Sequence, residues 1–255
     1  MIGSNELLNI VSLIKLETSS NEDKLQSIDN GFCQPKSVDQ CKDAFAVTIC
    51  SSNVAVNEII AQIGDFNYDM IDKIPSNPNR IFRPIIKCDT GDMYQGEYDT
   101  VNKQRDGRGR QIWSSGEVFD GFWKNGSRNG YGRYVYVSGN YCIGEWKDGK
   151  INGYGKYYYK SGSSYEGQWV NHKSEGLGLY KWISGQQYYG QWVNDKRQGV
   201  GVFTSKSGNI LGQRKNGQDH GIQMYIPSDG GQIEINKYEN NKLIETLLKI
   251  DNGQN

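Results

Sequence analysis

Aromatic residues, glycines and polar residues alternate in one recurring pattern between residues 91 and 242. Regular copies open with a glycine at positions 116, 139, 162 and 185, so the period is 23 residues. A less regular copy opens at Gly208, and another precedes the regular ones at Gly91. A fixed period of this length predicts a repeat array in which each copy is one supersecondary unit.

Within each copy the side chains follow the period of two that is typical of a β-strand. An aromatic residue stands at the fourth position, glycine at the sixth and a larger aromatic residue at the eighth, except that Cys142 replaces the first aromatic residue in the copy that opens at Gly139. A polar loop follows, and then a second strand that begins Gly-x-Gly, so each copy predicts a β-hairpin. Paired glycines leave room for a bulky group over the backbone, and we expect that group to be the neighbouring repeat's tryptophan. The predicted stacking residues are Tyr98, Trp123, Trp146, Trp169, Trp192, Gly130, Gly132, Gly153, Gly155, Gly176, Gly178, Gly199 and Gly201.

The second strand of each copy carries further aromatic residues after its glycine pair. Their tendency to be buried favours a structural role, but a single sheet has no second layer to cover all of them. The sequence therefore also predicts a partly open groove, which suits an apolar helix of a partner protein or residues 5–16 of this chain. The predicted groove residues are Trp113, Tyr134, Tyr136, Tyr157, Tyr159, Tyr180 and Trp182.

Apolar residues ahead of the array follow two helical patterns. Spacing at i, i+3, i+4 and i+7 predicts a short amphipathic helix over residues 5–16 and a second one over 53–63, which Gly64 ends as a C-terminal cap. Residues 17–31 are polar and predict a linker, whereas residues 32–51 leave helix and strand both open.

Three prolines between residues 65 and 84 disfavour regular structure there, and residues 85–88 predict a strand that pairs with the first repeat. Near the C-terminus, Glu245–Ile250 predicts a final helical turn that covers the open edge of the sheet. The predicted division is an N-terminal extension with two short helices at 1–83, an array of about six copies and a half-copy at 84–242, and a C-terminal cap or tail at 243–255.

The repeated pattern resembles the MORN repeat, in which YxGxWxxGxxxGxG precedes a polar and aromatic run. The sixth copy departs from it, with Ile210 and Arg214 at the aromatic positions and Gln223 for the second glycine, and Tyr238 takes the tryptophan position of the final half-copy. End copies are expected to be atypical because one side faces solvent. The resemblance implies a mainly β fold: an elongated, single-layer, twisted antiparallel sheet of stacked MORN hairpins, with a short, partly helical N-terminal segment.

Charge and cysteine content exclude some classes of function. Residues 1–90 carry 8 basic and 12 acidic residues, and the rest carry 21 and 17, an offset too small for a nucleic-acid-binding domain. The five cysteines lack CxxC spacing and indicate free thiols rather than a zinc site. Leu7–Leu16 is interrupted by polar residues and lacks a basic leader, so it predicts neither a signal peptide nor a membrane span. We expect a cytoplasmic location.

No arrangement of residues predicts catalysis. The two histidines, His172 and His220, fall in predicted hairpin loops, and no nucleophile accompanies either. Acid–base chemistry needs mutually placed partners, and the Gly-x-Gly pairs precede no helix, unlike a phosphate-binding loop. We expect no enzyme activity, no cofactor and no metal site.

The MORN resemblance implies a structural or adaptor protein, because MORN arrays in enzymes accompany a separate catalytic domain. Similar proteins occur in cilia, flagella and cytoskeletal scaffolds, radial-spoke components among them. This implies protein–protein assembly with cytoskeletal or axonemal subunits, in a larger complex or as a homodimer.

MORN repeats are also described as lipid-binding, so the alternative is a peripheral membrane protein that binds acidic phospholipids such as phosphoinositides through its loops. Acidic residues share those loops, and at roughly 1 kcal/mol per basic residue near an anionic membrane the attraction is weak. The basic residues of that edge are Lys124, Arg128, Lys147, Lys150, Lys173, Lys196 and Arg197.

Overall fold

The protein is represented by a computed structural model that describes residues 49–70 and 76–251. These residues form one open antiparallel sheet of fifteen strands, in which each strand pairs with its neighbours in sequence. The mainly β fold of stacked hairpins expected from the sequence is confirmed. Within these residues, no helix has the length and hydrophobicity required to span a bilayer.

One α-helix and a short 3-10 turn at Tyr68–Met70 precede the sheet. The elements are α1 Val54–Ile63, β1 Arg80–Lys87, β2 Met93–Asp99, β3 Gln104–Ile112, β4 Val118–Lys124, β5 Ser127–Val135, β6 Tyr141–Lys147, β7 Lys150–Tyr158, β8 Ser164–Val170, β9 Lys173–Lys181, β10 Gln187–Val193, β11 Lys196–Ser205, β12 Gly208–Lys215, β13 Gln218–Pro227, β14 Ile233–Glu239 and β15 Lys242–Ile250.

Two-residue turns connect the strands inside each repeat except the first, where residues 100–103 form a four-residue turn between β2 and β3. In the turn between β4 and β5, Asn125 and Gly126 have φ angles of 49° and 78°, as the type I′ turn of a tight hairpin requires. The turn is shorter than the polar stretch before the Gly-x-Gly pair, because Ser127 and the residues after it already belong to β5. The turn length thereby sets which side chains of the two strands lie opposite each other.

The serine–glycine steps form the turns between repeats. The N–H of Gly116 donates to the Trp113 carbonyl (2.8 Å), and the N–H of Gly139 donates to the Tyr136 carbonyl (3.0 Å). Both glycines have positive φ angles of 104° and 88°, which residues with a Cβ rarely adopt.

Helix α1 packs on one face of the sheet, which we call the helix face. Asn53 caps it by accepting from the Val56 N–H, and the N–H of Gly64 donates to the Ile60 carbonyl (2.9 Å), so the predicted helix and its C-terminal cap are confirmed. Val56 is fully buried, a contribution of about 1.5–3 kcal/mol for such a side chain. The cluster that it joins comprises Ile49, Val56, Ile112, Val118 and Val135.

A buried ion cluster lies on the helix face beside this apolar contact. Asp120 accepts hydrogen bonds from both Arg110 and Arg133, and all three side chains are at most 8% exposed. Arg110 also donates to the Ile49 carbonyl (3.2 Å) and Arg133 to the Gly64 carbonyl (2.7 Å). Burial alone would raise the pKa of Asp120, but the two guanidinium groups hold it below its ordinary value. The cluster thus links the segment before the array to the sheet.

The predictions for the N-terminal segment have different outcomes. The helix over 5–16, the linker over 17–31 and the open assignment up to residue 48 lie outside the described residues. The first strand was predicted too short, because β1 starts at Arg80 and contains Pro84. Proline is tolerated on an edge strand, and the pairing with β2 shifts between Arg83 and Ile86 around it.

The helical turn predicted at Glu245–Ile250 is wrong. These residues belong to β15, which pairs with β14 from Glu239↔Lys242 to Ile233↔Ile250. The turn residues Asn240 and Asn241 have φ angles of 49° and 67°, which the hairpin requires and a helix does not. Residues 245–250 thus form a strand because the backbone N–H and C=O groups at the edge of β14 pair with them.

We expect Asp120→Asn to lower the free energy of unfolding by about 3–5 kcal/mol, because it leaves two buried guanidinium groups without a counter-charge. Since the folded-state pKa of Asp120 is lowered, its contribution is present above its unfolded-state pKa of about 3.9 and is lost as the pH falls through the folded value. Urea unfolding monitored by tryptophan fluorescence measures both effects.

Glu166→Gln is the matched control. Glu166 pairs with Lys156 on the same face, but these side chains are 25% and 41% exposed, so the loss should stay below about 1 kcal/mol. Equal losses for the two variants would contradict the importance of burial.

Candidate functional site: an aromatic ladder

The second face of the sheet, the aromatic face, holds the main core of the repeats. It contains the tryptophan of each regular repeat and the first aromatic residue, or Cys142 in its place, since these positions alternate with the side chains of the helix face. Rings meet edge to face within a repeat, as in Phe119–Trp123 with centroids 5.3 Å apart, and between repeats, as in Phe119–Trp146 at 5.2 Å. Such contacts add about 0.5–1.5 kcal/mol beyond area burial.

Each of four tryptophans also binds the backbone of the preceding repeat. The indole Nε1 donates to the carbonyl of the second glycine of that repeat's Gly-x-Gly pair, and the tryptophan stands opposite the first glycine. The four bonds are Trp123 to Gly109 (3.1 Å), Trp146 to Gly132 (3.0 Å), Trp169 to Gly155 (3.0 Å) and Trp192 to Gly178 (3.1 Å).

The sequence pattern suggested that the neighbouring repeat's tryptophan fills the space over the second glycine, but another ring lies there. A Cβ on Gly178 would lie 2.5 Å from Cζ of Tyr165, and one on Gly132 would lie 2.3 Å from Cζ of Phe119. The ring over the glycine therefore belongs to the first aromatic residue of the same hairpin, not to the neighbouring tryptophan. The tryptophan instead contacts the carbonyl of this glycine. Spacing along the sequence does not show whether a tryptophan contacts the carbonyl or the Cα of a glycine.

The third repeat shows what happens without that ring. Cys142 replaces the first aromatic residue and is 1% exposed, and burial raises its pKa to about 12. The hydroxyl of Tyr136 lies 3.8 Å from its sulfur. Ile151 approaches Gly155 instead, with its Cδ1 at 2.9 Å from a Cβ built there. The space over this glycine is thus filled by a flexible aliphatic chain.

Beside the core runs a row of half-buried rings, which we call the aromatic ladder. The structure brings all seven predicted groove residues into it and adds Phe203, which the sequence pattern marked as a second-strand aromatic. Successive centroids are 4.5–5.9 Å apart. The ladder consists of Trp113, Tyr134, Tyr136, Tyr157, Tyr159, Tyr180, Trp182 and Phe203.

Polar atoms of the ladder are available as donors. Burial raises the pKa of Tyr134 and of Tyr159 to about 12, so both hydroxyls stay protonated at physiological pH. In the part of the chain that the structure describes, the indole N–H groups of Trp113 and Trp182 have no hydrogen-bond acceptor. The ladder therefore combines apolar rings with unused donors.

Two arginines that the sequence assigned to the loop edge lie in the aromatic face instead. Arg128 stands opposite Trp123 in the hairpin, with its guanidinium 4.7 Å from the Trp146 ring centroid and hydrogen-bonded to the Gly149 carbonyl. Arg197 donates to the Gly217 carbonyl (2.9 Å). The tight turns cause this, because they place both arginines in strands. Burial lowers the pKa of Arg128, as expected of a cation held against rings.

The other basic residues of the predicted edge are exposed and flank the two-residue turns. Asp148 and Asp195 stand in these turns, so the edge carries both signs of charge. A cleft of about 820 Å³ between two successive turns shows the same mixture, with Lys124 and Lys147 beside Glu145 and Asp148. The exposed lysines are Lys124, Lys147, Lys150, Lys173 and Lys196.

The histidines do not form a reactive group with other side chains. His172 lies in a turn, its ring 6.0 Å from that of Trp146, and burial lowers its pKa. His220 lies within β13 rather than in a loop, which corrects the sequence interpretation. Among the described residues, no group of three His, Cys, Asp or Glu side chains could hold a metal ion.

We expect Gly178→Ala to destabilise the protein by about 1–3 kcal/mol, because the new Cβ would overlap the ring of Tyr165. Gly155→Ala is the matched control, since its closest contact is the movable end of Ile151, and it should cost clearly less. Thermal unfolding followed by circular dichroism measures the difference. If both variants lose the same stability, the glycine is required by its backbone rather than by the ring.

The MORN repeat model matches residues 94–118, 119–141, 142–164, 165–187 and 188–210. No curated protein sequence matches significantly.

Among solved structures, the TCP domain of Drosophila melanogaster SAS-4, in complex with a proline-rich motif of Ana2, has a TM-score of 0.32 and 12% identity over 69% of this chain and 96% of its own. The TCP10 domain of Danio rerio CPAP, with a peptide of STIL, has a TM-score of 0.25 and 10% identity over 66% and 98%. Neither similarity is close enough to transfer a function.

The family match agrees with the structure of the regular copies. The sixth copy, which the MORN model does not match, buries Arg214 and Gln223 where the regular copies have tryptophan and glycine. Tyr238 stands opposite Gly221, as the tryptophans stand opposite the first glycines, so the predicted substitution at that position is confirmed. Residues 94–210 of this chain are five MORN repeats.

Proposed function

We propose that the protein is a non-enzymatic structural adaptor whose MORN-repeat sheet binds a partner protein through the aromatic ladder, as part of a larger cytoskeletal complex such as an axoneme. The observation that carries this proposal is the continuous row of eight half-buried rings. Helix α1 packs on the opposite face, so it leaves the ladder accessible.

The chemistry of the ladder favours a protein partner. Tyrosine and tryptophan are enriched at protein interfaces, where they offer large contact areas and lose few rotatable bonds. A row of rings fixed by neighbouring repeats is already ordered before binding, which lowers the entropic cost of association. The ring row has no built-in nucleophile or metal-binding group, consistent with assembly rather than catalysis.

The cytoskeletal setting rests on the MORN resemblance. MORN proteins similar in organisation occur in cilia, flagella and cytoskeletal scaffolds. A repeat sheet suits such a setting because its surface recurs with each repeat and extends with the number of repeats.

The alternative function, binding of acidic phospholipids, is supported by the five exposed lysines beside the turns. Arg128 and Arg197 are engaged with backbone carbonyls in the aromatic face, and Asp148 and Asp195 oppose the remaining charge. At roughly 1 kcal/mol per basic residue, less the opposing acids, the net attraction is small. The ladder is therefore the better-supported binding surface.

Retention on detergent-extracted cytoskeletons tests the adaptor function. We expect the wild-type protein to remain with the insoluble fraction and the double variant Tyr159→Ser/Tyr180→Ser to be released, because it removes two central rings of the ladder. The control is Tyr158→Ser/Tyr189→Ser, which alters two tyrosines of the helix face and should leave retention unchanged. Release of the wild-type protein by mild detergent alone, or equal behaviour of both variants, would argue against the proposal.

Vesicle flotation tests the lipid alternative. We expect no flotation with phosphoinositide vesicles at physiological ionic strength, because exposed charges are screened beyond about 8 Å. The control replaces Lys124, Lys147, Lys150, Lys173 and Lys196 with glutamine. Flotation of the wild-type protein that is lost in this variant would establish the lipid function instead.

A further inference from the structure

The outer row of the aromatic ladder places one hydrogen-bond donor in each repeat. Its members are Trp113, Tyr136, Tyr159 and Trp182, each followed by a serine–glycine turn to the next repeat. Within the described residues, the indole N–H groups of Trp113 and Trp182 and the hydroxyl of Tyr159 form no hydrogen bond, and Tyr136 contacts only the weak partner Cys142. The row therefore offers donors to a ligand that brings acceptors.

This row differs from the tryptophans that join the repeats. The indole N–H of Trp123 or Trp146 is buried and donates to a backbone carbonyl of the sheet. Trp113 and Trp182 are half-buried beside the core and contact other ladder rings, and the guanidinium of Arg128 also lies 5.6 Å from the Trp113 ring centroid. The two classes of tryptophan thus differ in their indole N–H groups, which are bound within the sheet in the first class and unbound among the described residues in the second.

The spacing of the donors matches one ligand conformation. Two strands about 4.8 Å apart advance each repeat by about 9.6 Å along the sheet. A polyproline II helix has three residues per turn and rises about 9.3 Å per turn, whereas an α-helix rises about 5.4 Å. A polyproline II segment that crosses the strands therefore presents the same side to every repeat.

Backbone chemistry favours the same conformation. The carbonyl groups of a polyproline II segment have no internal hydrogen bonds and are free to accept, whereas those of an α-helix are mostly satisfied within the helix. One carbonyl per turn could accept from each donor of the row. Flat proline rings also pack well between aromatic rings, so both the rings and the donors of the ladder would be used.

Area identifies the occupant as a short segment rather than a second copy of this chain. From Trp113 to Trp182 the row crosses six strand spacings, or about 29 Å, and covers roughly 300 Å² at a width near 10 Å. A stable dimer needs about 800 Å² per partner. The row matches about nine residues of polyproline II.

We propose that the aromatic ladder binds a proline-rich segment of the partner protein in the polyproline II conformation, one turn per repeat. This inference rests on the proposed function of the ladder as a partner surface, and it replaces the apolar helix that the sequence pattern suggested.

Titration of the isotopically labelled full-length protein with a decaproline peptide tests the inference. We expect saturable shifts of the Trp113 and Trp182 indole N–H signals and none with a glycine–serine peptide of equal length. Tyr159→Phe keeps the ring but removes one donor, so it should weaken binding about three- to tenfold, the effect of one hydrogen bond. Tyr189→Phe makes the same change on the helix face of the same sheet and should leave the affinity unchanged.

An amphipathic helical peptide of equal length separates this inference from the proposed function. Saturable binding of the helical peptide to the ladder without binding of decaproline would overturn the inference and leave the adaptor function intact. Decaproline binding that is equally affected by both phenylalanine variants would also overturn it, because the ladder donors would then have no part. Failure of the cytoskeletal retention test is a separate result that concerns the proposed function.

Discussion

The sheet depends on the contact between aromatic rings and glycines at the boundary of each repeat. A hairpin's first aromatic ring lies directly over the second glycine of its own Gly-x-Gly pair, as Tyr165 lies over Gly178. The next repeat's tryptophan, Trp192, packs against that ring and donates to the carbonyl of the same glycine. One glycine therefore contacts rings of two hairpins. Its lack of a side chain leaves room for the ring of its own hairpin, and its carbonyl accepts a hydrogen bond from the tryptophan of the next hairpin. A methyl group there would disturb both the hairpin and the joint between hairpins.

This arrangement also explains why some aromatic rings of the sheet remain half-buried. A two-stranded unit is marginal alone, so each hairpin gains its stability from the next one. The layer of rings that joins them covers the middle of the aromatic face, and the rings at the end of each second strand remain half-buried. These residual rings become the ladder. Its regular spacing follows from the repeat, so the ladder and the stabilising contacts have the same period.

The two faces of the sheet have different tasks. On the helix face, Val56 and the ion cluster around Asp120 hold the segment that precedes the array. The guanidinium groups of Arg110 and Arg133 each connect a strand to a backbone carbonyl of that segment, which gives the contact a defined position as well as stability. With α1 on this face, the described residues leave the ladder rings half-buried on the other face.

The sequence by itself determined the hairpins, their order, helix α1 and the alignment of seven second-strand aromatic residues on one face, because strand alternation and a 23-residue period are local properties. It misassigned Arg128 and Arg197 to a loop edge and Glu245–Ile250 to a helix. Only the tertiary structure decided where these residues lie. The two-residue turn places Arg128 opposite Trp123. The last residues form β15 because the edge of β14 has backbone groups free to pair. The tertiary structure likewise decided which ring covers each glycine, since that depends on how neighbouring hairpins share space rather than on spacing along one chain.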